Sequence, residues 1–141
     1  MPRRCVLAGV LWVLAIVGGS CSDESAPSSQ TTKSVLSARS IDAGSVEVTI
    51  TPIRLDDQEA LFTVSLDTHT VELSMNLVES AVLDVNGTTW PAVGWTGDGA
   101  RGHHRSGELR FDPRGPAQGT ARLTLGGFPE PIEVTWKLPG G

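Results

Sequence analysis

Leu83-Asp84-Val85-Asn86-Gly87-Thr88-Thr89-Trp90 is the stretch that decides how this chain folds. Asn-Gly between two short apolar segments is the strongest local hairpin signal, because both central residues of a type I′ turn need positive φ. The same reading extends outward in both directions. Val46, Val48 and Ile50 alternate with Glu47, Thr49 and Thr51, and Phe62, Val64 and Leu66 alternate with Thr63 and Ser65. Val71, Leu73, Met75 and Leu77 continue the period, as do Leu109 and Phe111, Leu123 and Leu125, and Ile132, Val134, Trp136 and Leu138. Each run has one apolar and one polar face, which suits antiparallel strands packed on a single core. No stretch carries a helical stripe. The Gly/Pro-rich segments 113–119 and 126–131 each separate two strands. Seven to eight short strands with frequent turns predict an all-β, antiparallel β-sandwich over residues 45–141, with an immunoglobulin-like topology preferred and a small barrel as the alternative.

The residues before this domain have a different composition. All sixteen acidic residues lie at or after Asp23, and residues 5–21 hold no charge. Arg3 and Arg4 precede an apolar run of twelve residues, Val6 to Val17, which ends in Gly18-Gly19-Ser20-Cys21. The run is shorter than the about 20 apolar residues that a spanning helix needs, so residues 1–20 read as a signal peptide. A cysteine directly after small residues at the end of such a run resembles a bacterial lipoprotein lipobox. That family usually carries leucine three positions before the cysteine, where Gly18 stands here, with Val17 one place further back. The resemblance implies acylation of Cys21, palmitate included. Ordinary cleavage after Ser20, which would leave a secreted chain, is the alternative. Arg3-Arg4 leaves the export route, general secretory or twin-arginine, open.

Cys5 departs with the signal, so Cys21 has no partner and no intramolecular disulfide can form in the mature chain. Residues 21–44 then comprise the cysteine and a segment with seven serines and no hydrophobic period beyond Val35 and Leu36. Such a composition predicts a flexible tether with a reach of roughly 25 Å. Without residues 1–20 the chain keeps nine basic residues against sixteen acidic ones, a formal charge of −7. That excludes a nucleic-acid binder, which needs a cationic face toward the phosphates.

Chemistry is sparse. Gly97, Gly99 and Gly102 match the GxGxxG spacing, but a dinucleotide site needs a helix after the glycines, and residues 108–111 alternate like a strand. His69, His103 and His104 are all the histidines of the chain, and a copper or zinc site would gather them, with Asp67, Asp98 or Met75 as further donors. Neighbouring residues on a regular strand point to opposite faces, so His103 and His104 share a site only if the backbone is irregular there. Trp90, Trp95 and Trp136 could form a binding surface; Trp136 fits the core register of its strand, which leaves Trp95 beside the glycine loop as the exposed candidate. Asp56, Asp57 and Glu59 read as a solvated turn rather than a calcium loop. Asn86-Gly87-Thr88 spells a glycosylation sequon but is read here as the turn alone. The chain has no GxSxG, HExxH, CxxC or P-loop.

Two segments carry a further resemblance. Leu66-Asp67-Thr68-His69-Thr70 and Gly102-His103-His104-Arg105-Ser106-Gly107-Glu108-Leu109-Arg110-Phe111, with Trp95-Thr96-Gly97 before the second, resemble a family of exported bacterial β-rich domains. Its members pair a "DTHS" segment with a "GGHHRxGxLxF" segment. Here Thr70 replaces the serine and Arg101 the first glycine of the doublet. The resemblance spans residues 46–138, carries no established activity, and implies that His69, His103 and His104 form one neighbourhood. The expectation is a non-enzymatic module without a cofactor, lipid-anchored through Cys21 at the extracytoplasmic face of the plasma membrane. It would contact an extracytoplasmic protein or small ligand through the loop bearing Trp95, Asp98, Arg101 and Arg105. The alternative is a copper- or zinc-handling domain built on the three histidines.

Overall fold

The computed structural model describes residues 36–140. The expected signal peptide, Cys21 and most of the expected tether lie outside these residues. Eight strands and one helical turn follow in order: β1 (Arg39–Asp42), β2 (Val46–Leu55), β3 (Ala60–Thr68), α1 (Leu77–Ser80), β4 (Ala81–Val85), β5 (Thr88–Gly97), β6 (His104–Phe111), β7 (Thr120–Leu125) and β8 (Ile132–Lys137). All pairings are antiparallel, in the single order β1-β2-β3-β6-β5-β4-β7-β8. The expected all-β antiparallel class and strand number are therefore those of the molecule.

Local chemistry explains where the chain turns. Asn86 and Gly87 take φ of 51° and 87°, the two positive values that the β4–β5 hairpin needs. At the β2–β3 turn Asp56 Oδ1 accepts from the amides of Gln58 (2.9 Å) and Glu59 (2.8 Å), and Arg54 Nε donates to Asp56 Oδ2 at 2.7 Å. The acidic cluster 56–59 is thus a closed turn. β5 serves two partners: Thr88–Pro91 pairs with β4, and Ala92–Gly97 pairs with β6 after a register shift at Val93. A second bulge in β2 falls at Ile53. An extra residue in a strand leaves the ladder and twists it, which is why Ile53 and Val93 are the most exposed large apolar residues, at 52% and 54%.

The twist brings the two ends of the sheet together. Phe62 of β3 packs edge-on against Phe111 (centroids 5.6 Å apart) and at 5.4 Å against Trp136 of β8. Trp136 Nε1 donates to the carbonyl of Ser37 at 2.9 Å, and Arg39 reaches the carbonyl of Thr135 at 3.5 Å. One interior results, filled from every strand but β1, with Trp90, Phe62, Ile50 and Leu66 fully buried. Burying each such side chain contributes roughly 1.5–3 kcal/mol. The architecture stands between the two expected ones: faces packed as in a sandwich, and outer strands nearly closed as in a barrel.

Two segments differ from the sequence reading. The sheet starts at Arg39, inside the stretch expected to be tether up to residue 44, because Ile41 pairs with Val48 and Leu36 packs on the core. The strand expected over residues 71–77 is instead a crossover ending in α1. Its alternation is real, since Leu73 and Leu77 are buried. Leu73, however, exchanges backbone bonds with a loop: its amide donates to Gly102 (3.0 Å) and its carbonyl accepts from Arg101 (2.9 Å). Asn76 then caps α1 by accepting from the Val78 and Glu79 amides, which ends the extended run.

Candidate functional site

Register places the candidate residues. β3 and β6 pair Asp67 with His104, Leu66 with Arg105 and Ser65 with Ser106. Side chains alternate between faces, so a buried Leu66 sends its partner Arg105 inward and leaves Asp67 and His104 side by side on the outer face. Asp67 Oδ1 lies 2.5 Å from His104 Nδ1, and Ser65 Oγ donates to Asp67 Oδ2 at 3.1 Å. These hydrogen bonds, His104 first, hold the Asp67 carboxyl below the usual carboxylate range. His69, one residue past β3, sets its ring edge-on to His104 with centroids 6.4 Å apart. Both rings are exposed. Beside Asp67 and His69 runs an open groove of about 460 Å³, bordered by Asp42 and Glu47.

The third expected member of the cluster contributes its backbone. The carbonyl of His103 accepts from the Thr68 amide at 2.9 Å, and the imidazole pair that the fold assembles is His69 with His104. Among the described residues no three His, Cys, Asp or Glu side chains converge on one point where an ion would touch all of them. His104 has Asp67 as its side-chain hydrogen-bond partner and no hydroxyl or thiol partner among the described residues. The glycine loop leads into β6, so no helix terminus faces it and the GxGxxG spacing has no phosphate-binding geometry.

The expected contact loop divides into supports and exposed residues. Arg105 is 4% exposed and is no surface contact, contrary to the sequence expectation, because its register partner Leu66 faces the core. Its guanidinium lies over the Trp95 ring, 5.4 Å from the centroid, and donates to the carbonyls of Met75 (2.6 Å) and Asp98 (3.2 Å). Burial lowers its pKa, with Asp98 acting in the opposite direction. Trp95 is half-buried, and its Nε1 donates to the Asp98 carbonyl at 2.9 Å. The Asp98 carboxylate accepts from the Ser106 amide at 2.8 Å. Arg101 is exposed, with φ of 112° and its amide bonded to the Leu73 carbonyl. Trp90 and Trp136 are core residues, not a binding surface. The loop is thus braced from below by Arg105, and Asp98, Arg101 and His103 are its exposed polar residues.

Two features escaped the sequence reading. Glu47, opposite Asp67 on β2, completes the acidic side of the groove. Asp67 belongs behind His104 as a hydrogen-bond acceptor; the signal was the shared outward phase of the two residues, which becomes informative only once β3 and β6 are known to be neighbours. Comparison with protein-family models, curated proteins and solved structures found no match.

Proposed function

We propose that this chain is a lipid-anchored, extracytoplasmic binding module without enzymatic activity, and that its ligand-facing surface is the end of the β3–β6 ladder with the groove beside it. The observation that carries the reading is the exposed imidazole–carboxylate group Asp67–His69–His104, mounted on paired strands and framed by a loop braced through Arg105. Rigid strands that hold polar groups toward solvent suit recognition. The anchor half of the proposal draws on the Arg3-Arg4 start, the apolar run to Val17 and the Cys21 that follows small residues. Two or more acyl chains on Cys21, each contributing about 0.8 kcal/mol per buried CH₂, would hold the module at the outer face of the plasma membrane.

Membrane fractionation of cells producing the full chain tests this. Blocking lipoprotein signal cleavage with globomycin leaves the uncleaved precursor, and Cys21→Ala abolishes palmitate labelling and moves the mature protein to the soluble fraction. Unchanged processing, labelling and fractionation in both arms would refute the anchor. A copper- or zinc-binding version of the module is favoured by the approach of the His69 ring to His104, which Asp67 holds by its Nδ1.

A further inference from the structure

We propose that the end of the β3–β6 ladder binds a divalent transition-metal ion, with one imidazole nitrogen each from His69 and His104 as the protein ligands and Asp67 as the residue that orients His104. The inference rests on the reading of this face as the ligand-binding one, and names the class of ligand.

Asp67 fixes which nitrogen of His104 is turned outward. Asp67 Oδ1 lies 2.5 Å from His104 Nδ1, and the other carboxylate oxygen accepts from Ser65 Oγ at 3.1 Å. With a carboxylate as the acceptor, Nδ1 is the donor of this contact, and Nε2 faces away from the carboxylate as the nitrogen available to a ligand. A histidine that donates its other N–H to a carboxylate is the arrangement metal-ligating imidazoles adopt, since the carboxylate fixes the tautomer and raises ligand basicity.

The second imidazole is within reach. With metal–nitrogen bonds of about 2.0–2.1 Å and tetrahedral angles, two rings on one ion have centroids about 5 Å apart. The His69 and His104 centroids are 6.4 Å apart, so the two exposed side chains must close by about 1 Å to share an ion, a movement that displaces only solvent. Among the described residues no third protein donor converges there, and water would complete the coordination.

Charge points the same way. The groove against His69 is lined by Asp42, Glu47 and Asp67, with neither lysine nor arginine in its wall. A cleft of one sign concentrates counter-ions. Imidazole donors select zinc and copper over magnesium or calcium. His103 takes no part.

The test is titration of the purified full chain, in detergent, with Zn(II) and separately Cu(II) against a chromophoric chelator. The expected result is one ion per chain. His69→Ala and His104→Ala should each weaken binding at least about tenfold, as loss of one of two protein ligands requires. Asp67→Asn should weaken it about 10- to 100-fold, the range for a lost outer-shell partner, while His103→Ala changes it less than about twofold. Tryptophan fluorescence checks that each variant keeps its fold; all four positions are on the surface. Equal binding by the wild type and the His69→Ala/His104→Ala double variant overturns the proposal, as does a His103→Ala loss as large as that of His69→Ala. Membrane retention of the same proteins is scored in parallel. Retention without metal binding overturns the metal site and leaves the anchored module standing; metal binding in a chain that fractionates as soluble supports the site and overturns only the anchor.

Discussion

Replacing Gly107 by alanine tests the close approach on which the candidate site is mounted. Gly107 pairs with Gly97 where β6 meets β5. A Cβ added to Gly107 would lie 2.6 Å from the Thr96 carbonyl oxygen, 2.7 Å from Gly97 Cα and 2.7 Å from Trp95 Cζ2. Ordinary carbon contacts are about 3.5–4.0 Å, so β5 would have to retreat by about 1 Å. Two bonds at the end of this hairpin tolerate no such shift: Asp98 N to Ser106 O at 2.9 Å, and Ser106 N to Asp98 Oδ2 at 2.8 Å. Their loss costs about 1 kcal/mol each, and overpacking adds about 1–3 kcal/mol. The expected destabilisation is about 3–5 kcal/mol. For a domain of this size each kcal/mol lowers Tm by about 4–8 °C, so thermal unfolding followed by tryptophan fluorescence should show a fall of at least about 12 °C. Gly99→Ala is the control, because nothing lies within 4 Å of its added Cβ; it should stay within about 0.5 kcal/mol. Adding Trp95→Ala to Gly107→Ala should not rescue the variant, since two of the three obstructing atoms are backbone. A Gly107→Ala melting point within about 3 °C of the wild type would refute the reasoning.

Three further outcomes follow from the same structure. Arg105→Met leaves the Met75 carbonyl without its donor, while the Asp98 carbonyl keeps Trp95 Nε1; one orphaned group costs about 1–3 kcal/mol, partly offset by relief of the buried charge, and urea unfolding should show a net loss of about 1–2 kcal/mol. Trp90→Phe removes a fully buried indole N–H that has no protein partner among the described residues; that gain offsets most of the lost apolar area, so the change should stay within about 1 kcal/mol, far from the about 3–5 kcal/mol of a truncation to alanine. Asp56 has its pKa lowered, first by the Arg54 hydrogen bond. Its contribution is therefore present above the unfolded carboxylate value of about 3.9 and is lost as pH falls through the lower folded value. The small stability gap between wild type and Asp56→Asn should be present in melts at pH 7, begin to close below about pH 4, and vanish only once the pH is below the folded value.

The strands of the core were legible because burial imposes a period of two, and Val46–Ile50, Phe62–Leu66 and Ile132–Trp136 obey it without interruption. β1 was not, since an edge strand with mostly exposed residues has only Ile41 to mark it. The crossover was misleading for a better reason: Leu73 and Leu77 are buried as the alternation required, yet their segment pairs with a loop, and periodicity does not say what a backbone bonds to. The site shows the same limit. His69 and His104 stood out as residue types, but whether Arg105 faces solvent or core, and whether Asp67 meets His104, depends on the pairing of two strands separated by three other elements. Local pattern specifies a strand's faces; its neighbour is chosen by the packing of the whole sheet.

The bond from Trp136 to the Ser37 carbonyl and the reach of Arg39 to Thr135 have a topological consequence. Entry to and exit from the folded segment occur at one place, so the domain can be spliced into a surface loop of a host protein without its sheet being pulled apart. It can equally be rewired: a short link from residue 140 to residue 36, with new ends cut between Asn86 and Gly87, would leave every strand with the neighbours it already has.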